Sequence, residues 1–148
     1  MLKLHVLASG SKGNAAIVEN AATGAGVLID CGICKRDFLE RCDEAGFDPT
    51  RLEAVFITHE HGDHTKGLGV VLRGLAKLGC APMVYVNRAC VDNSSTLQKI
   101  ADDFETATLG AALTLSQDEN ASEGRNTTST CDERVVCAAG LHVIPFAT

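Results

Sequence analysis

The chain begins with short apolar runs broken by small polar turns, then changes to longer stretches in which apolar residues recur every three or four positions. Residues 2–8, 15–19 and 26–30 are of the first kind: too short for helices and bounded by Gly, Ser, Asn and Thr, each predicts a strand. Three such runs in succession predict an antiparallel meander. Gly10 and Gly13, in the turn at 9–14, are expected to take backbone angles that other residues resist. Over 33–46 the period changes. Cys34, Phe38, Leu39, Cys42 and Ala45 mark one helical face, and Lys35, Arg36, Glu40, Arg41 and Glu44 the other. Phe47-Asp48-Pro49-Thr50 closes that helix and leads to a strand at 54–57. Leu68, Val71, Leu72, Leu75 and Leu78 predict an amphipathic helix, residues 83–86 a strand, and 94–104 a further helix with a weaker pattern. Strands alternating with helices make the fold class α/β.

Residues 116–134 break this rhythm. They are rich in Ser, Thr, Asn, Asp and Glu, bury too little surface to order themselves, and are expected to form a mobile polar insertion. Strand character resumes at 135–138 and 141–146. The whole of 1–148 is therefore expected to be one domain with an insertion.

Between the strand ending at Ile57 and the helix starting near Leu68 lies Thr58-His59-Glu60-His61-Gly62-Asp63-His64, with three of the chain's five histidines and an aspartate in close succession. Residues two apart in an extended segment face the same way, so His59 and His61 can converge on one ion and Asp63 keeps the alternation. Gly62 is expected to permit the bend that frees His64 to turn aside. Imidazole nitrogens with a carboxylate suit zinc, with iron or manganese as alternatives. Chance would explain a lone surface histidine; it explains poorly four potential ligands at the end of a strand.

The His-x-His-x-Asp-His motif, together with Leu7-Ala8-Ser9-Gly10-Ser11-Lys12-Gly13-Asn14 and Leu28-Ile29-Asp30-Cys31-Gly32, resembles the metallo-β-lactamase fold family. Within it, the resemblance is to bacterial metallo-hydrolases related to a double-strand DNA 5′ exonuclease linked to cell-wall regulation. It is dense over residues 1 to about 70 and thin beyond. It implies an αββα sandwich, present here as roughly its N-terminal half to two-thirds. It also implies two divalent metal ions, zinc by preference, with His59 and His61 serving the first and Asp63 and His64 the second. Asp63 would align a metal-bound hydroxide for attack. Asp30 would lie beneath the motif and hold its loop by hydrogen bonds, and Ser11 and Asn14 would touch substrate at the rim. The family's next metal-binding histidine follows a Pro-Phe run like Pro145-Phe146, where this chain ends.

The formal charge is −6, supplied by the region after residue 100, which carries 2 basic against 8 acidic residues; the motif-bearing part is neutral. A basic footprint for a phosphate backbone is missing, although a metal centre can itself attract phosphate. The 7 cysteines are scattered, and with no signal peptide or long apolar run they are expected to be free thiols in a cytoplasmic protein without a membrane span. Cys31 and Cys34 have redox-pair spacing, but the preferred reading makes Cys31 a strand end and Cys34 part of a helix's apolar face. The loop at 9–14 lacks P-loop spacing and is expected to be a structural turn. His142 is expected at a sheet surface.

The resemblance thus implies a metal-dependent hydrolase, with phosphodiester cleavage in nucleic acid as the expected reaction and DNA as the expected partner. A small-molecule ester or cyclic phosphate hydrolase is one alternative. A non-catalytic, truncated remnant is another, expected to bind substoichiometric zinc and to expose an apolar sheet face and edge.

Overall fold

The computed structural model describes residues 1–109 and 136–144. The expected polar insertion at 116–134 and Pro145-Phe146 lie outside them. Six strands form one sheet in chain order: β1 (Leu2–Ala8), β2 (Ala15–Asn20), β3 (Gly26–Ile29), β4 (Leu52–Ile57), β5 (Met83–Val86) and β6 (Thr106–Thr108). The first three are the expected antiparallel meander, running from Leu2↔Asn20 through Ala16↔Ile29. From β3 onward all pairs are parallel, as the intervening helices require.

Those helices are α1 (Lys35–Ala45), α2 (Gly62–Thr65), α3 (Leu68–Lys77), α4 (Arg88–Asp92) and α5 (Ser95–Asp103). Phe38 and Cys42 of α1, Leu68, Val71, Leu72 and Leu75 of α3, and Leu97 and Ile100 of α5 pack on Ile17, Leu28, Val55, Ile57, Val84 and Val86. Burying each of the larger side chains contributes about 1.5–3 kcal/mol before chain entropy is counted. This core holds the ends of β3 and β4 in place.

The opposite face is thinner. Val27, Ala54 and Phe56 meet Ala138 and Ala139 of a hairpin, β7 (Val136–Ala138) and β8 (Leu141–Val143). Its two-residue turn has positive φ at both Ala139 (55°) and Gly140 (69°), as a tight hairpin demands. Asn20 donates to the Ala139 carbonyl at 3.1 Å, and the Ala139 N–H donates to Glu53. Farther along the same face, Leu2, Leu4 and Val6 of the edge strand are 58%, 65% and 60% exposed. Among the described residues, these three form an exposed apolar strip on β1.

Several local expectations are corrected. Cys34 is not on the apolar face of α1: it is the exposed N-cap, its Sγ accepting from the Asp37 N–H at 3.5 Å. Neither Gly10 nor Gly13 has positive φ. Gly13 serves by close approach, since a Cβ there would lie 2.6 Å from the Gly32 carbonyl oxygen. The single turn α4 and the three-residue β6 were not expected, both being too short to carry a period. No helix is long and apolar enough to cross a membrane among the described residues.

Candidate metal centre

The site is built where β3 and β4 end side by side. Four main-chain bonds tie three segments together: Asn14 N–H to Asp63 O (2.7 Å), Gly32 N–H to Asn14 O (2.9 Å), Cys31 N–H to His64 O (2.8 Å) and Gly67 N–H to Cys31 O (3.0 Å). The approach is so close that a Cβ at Gly32 would fall 1.7 Å from Asp63 O, and one at Gly67 1.6 Å from Ile33 O. Only glycine fits either place.

Asp30 closes β3 with a left-handed backbone, φ 57°, which aspartate tolerates better than most residues. It is buried, and its carboxylate is fully used. Oδ1 accepts from the Thr58 N–H at 2.8 Å; Oδ2 accepts from the Thr58 hydroxyl at 2.6 Å and stands 2.7 Å from His64 Nδ1. A carboxylate only accepts, so Nδ1 of His64 carries the proton and Nε2 presents a lone pair. The same logic extends to His59. Its Nδ1 lies 3.0 Å from the Thr58 hydroxyl, whose one proton is given to Asp30, so His59 donates from Nδ1 and leaves Nε2 bare. One buried carboxylate thereby favours, for two imidazoles, the tautomer that leaves Nε2 free to bind a metal.

His59, His61 and Asp63 each bring a donor atom within 4.8 Å of the others. The His59 ring lies 4.7 Å from that of His61 and 3.9 Å from that of His64, centroid to centroid. Asp63 Oδ2 is 3.5 Å from His64 Nε2. The chain therefore gathers His59, His61 and Asp63 at one point, with His64 beside them against the His59 ring and within 3.5 Å of Asp63. Nitrogen and oxygen donors at such separations fit a divalent ion bound at about 2.0–2.2 Å after small side-chain rotations. Asp30, His59 and His64 also cluster within 4.8 Å, but there the Asp30 oxygens are committed to hydrogen bonds.

The route to convergence differs from the one expected. Residues 58–61 are not a strand; β4 ends at Ile57 and His61 is the N-cap of α2. A loop and one helical turn gather the donors, with Thr65 Oγ1 donating to the His61 carbonyl at 3.2 Å. Gly62 is not needed for a bend. It has no positive φ, and a Cβ there would meet nothing within 4 Å.

Ser11 is exposed in the wall of a cleft of about 460 Å³ formed by residues 7–13, Ile33, Asp37 and Arg41. Asn14 instead turns its amide inward. Its Nδ2 lies 3.1 Å from Asp63 Oδ2, 3.2 Å from His64 Nε2 and 2.9 Å from Gly10 O. Lys66 donates to the Lys12 carbonyl at 2.6 Å, joining the loop at 9–14 to α2. Thr58 was missed by the sequence reading, because nothing in its spacing distinguishes it from any threonine before a turn. Glu60 sits below the usual carboxylate range, held there by its own backbone N–H and the Cys90 thiol. Burial pushes the Cys31 thiol up to about 12, which suits an inert interior sulfur rather than a redox pair. His142 is exposed on β8.

A sheet with a His- and Asp-rich loop at the end of a parallel strand is an arrangement of the metallo-β-lactamase kind. Residues 9–79, just under half of the chain, match the model of the metallo-beta-lactamase superfamily. It is similar to Exodeoxyribonuclease WalJ of Streptococcus pneumoniae, 38% identical over 101 residues that make up 66% of this chain and 35% of that protein. It is also similar to the anti-Pycsar protein Apyc1 of Saccharibacillus brassicae, 33% identical over 110 residues, covering 65% of this chain and 43% of that one. The chain thus spans about a third of the length of the WalJ exodeoxyribonucleases it matches. Among solved structures, the short form of human tRNase Z superposes with a TM-score of 0.50 at 20% identity, over 71% of this chain and 42% of that one, a likeness of fold.

Proposed function

We propose that this chain carries the metal-binding portion of a hydrolase that cleaves phosphodiester bonds in DNA, in the manner of an exonuclease. The observation that carries the reading is the cluster of His59, His61 and Asp63 at the ends of β3 and β4, with His64 3.5 Å from Asp63. The similarity to exodeoxyribonucleases directs it toward DNA. His59 and His61 would hold one divalent ion, zinc by preference, and His64 a second, with Asp63 able to reach both. When bound, such ions neutralise phosphate charge and activate water.

The chain's own residues do the rest. Thr58 and Asp30 keep the Nε2 lone pairs of His59 and His64 aimed at the centre. Asp63 has one carboxylate oxygen to spare for orienting a water by hydrogen bond. Lys12 and Lys66, exposed on the loops beside the donors, bring positive charge to meet a polyanion. No side-chain nucleophile is required.

The test uses the full chain with zinc or manganese on end-labelled linear duplex DNA, closed circular plasmid and a small phosphodiester dye. Loss of linear DNA from its ends, with the plasmid intact, supports the reading. Cleavage of the dye alone replaces it with a small-molecule hydrolase. Metal uptake without cleavage of any substrate rejects hydrolysis by this chain.

A further inference from the structure

Resting on that reading of the site, we infer that Asn14 is a positioning residue for Asp63 and His64, acting through these two side chains rather than by touching substrate. Its side-chain nitrogen has two protons. One is placed for the Gly10 carbonyl at 2.9 Å; the other faces Asp63 Oδ2 at 3.1 Å and His64 Nε2 at 3.2 Å.

Both atoms are acceptors in the required states. The Asp63 oxygen is a carboxylate oxygen, and His64 Nε2 is bare because Asp30 takes the Nδ1 proton. The amide therefore points a neutral donor at the two atoms that a cation would engage, and fixes their separation of 3.5 Å. On its other side, Asn14 Oδ1 accepts from the Gly10 N–H at 3.1 Å. The amide's orientation is thus set by the loop's backbone, since reversing it would set oxygen against oxygen at Gly10 and at Asp63.

The main chain of Asn14 is held separately, by bonds to Asp63 O and from Gly32 N–H. Removing the side chain therefore leaves the platform in place. Asn14→Ala is expected to fold and to lose both contacts; because a cation takes the Nε2 lone pair in place of the Asn14 N–H, it is the lost support of Asp63 Oδ2 that should weaken zinc or cobalt binding, by about tenfold. Asn14→Asp keeps the acceptor for Gly10 but has no N–H to offer.

The first measurement is the 15N resonance of His64 Nε2 in the metal-free chain. In both variants it should move toward that of an unbonded imidazole nitrogen. The second compares parent and Asn14→Ala by metal competition and by the visible spectrum of the cobalt-loaded chain, which a purely structural loop role would not alter. An unchanged Nε2 resonance in both variants overturns the inference. So does unchanged affinity with an unchanged cobalt spectrum, even if the melting temperature falls. If the parent itself takes up no metal, the proposed metal centre fails, while the nitrogen resonance still decides whether Asn14 holds His64.

Discussion

Replacing Asp30 by asparagine exchanges one carboxylate oxygen for an amide nitrogen and should disable the site without unfolding the protein. Asparagine tolerates the left-handed backbone at this position, φ 57°, as well as aspartate does. Its oxygen can still accept from the Thr58 N–H. Its nitrogen, however, must face the Thr58 hydroxyl and His64 Nδ1, both of which now donate to Oδ2 at 2.6 and 2.7 Å. Two donors cannot share that contact, so His64 has to move its proton to Nε2 and turn a lone pair toward residue 30. The atom facing the centre then becomes a donor. Metal affinity should fall about tenfold or more, and losing the charge-assisted bonds should cost about 1–3 kcal/mol. Asp30→Ala, which leaves all three donors without their acceptor, should cost more, about 3–5 kcal/mol by analogy with a broken buried pair. For a chain of this size that is a drop of about 6–20 °C in melting temperature. The assays are calorimetry for stability, zinc competition for affinity and imidazole 15N shifts for the tautomer. Asp30→Asn that keeps the Nδ1–H tautomer and the parent's affinity would refute the reasoning.

Two further outcomes follow from packing and burial. Gly32→Ala puts a methyl 1.7 Å from the Asp63 carbonyl oxygen and should destabilise by about 3 kcal/mol or more, whereas Gly62→Ala, with nothing within 4 Å, should be neutral or stabilise α2 by about 0.5 kcal/mol; urea denaturation separates them, and equal losses would contradict the close approach at Gly32. Iodoacetamide at mildly alkaline pH should label the exposed Cys34 first and spare Cys31 and Cys42, whose thiols burial pushes up to about 12; peptide mapping that finds Cys31 labelled as fast as Cys34 in native protein would count against the buried assignment.

What the sequence disclosed, it disclosed through period and spacing. The short apolar run at 15–19, the three-and-four rhythm from Leu68 and the dense donors at 59–64 each correspond to an element or cluster seen in the structure. Short pieces escaped because a single turn such as α4 or a three-residue strand such as β6 has no repeat to detect. The reasoning about glycines misplaced the constraint: the tight positions are Gly13, Gly32 and Gly67, fixed by segments distant in sequence, and Gly62 has room to spare. Thr58 and the inward amide of Asn14 were illegible for a related cause. Their partners, Asp30, Asp63 and His64, lie 28 to 50 positions away, and no local pattern records a contact made only when β1 through β4 have closed.

The four main-chain bonds beneath the donors separate architecture from chemistry. Because Asn14 is joined to Asp63, Cys31 to His64, Gly32 to Asn14 and Gly67 to Cys31, all peptide to peptide, the braid does not ask which side chains it displays. Histidine could be exchanged for cysteine, or aspartate for glutamate, at the display positions while the underlying weave persists. A lineage or a designer could thereby retune the preferred ion, or discard it, without rebuilding the domain.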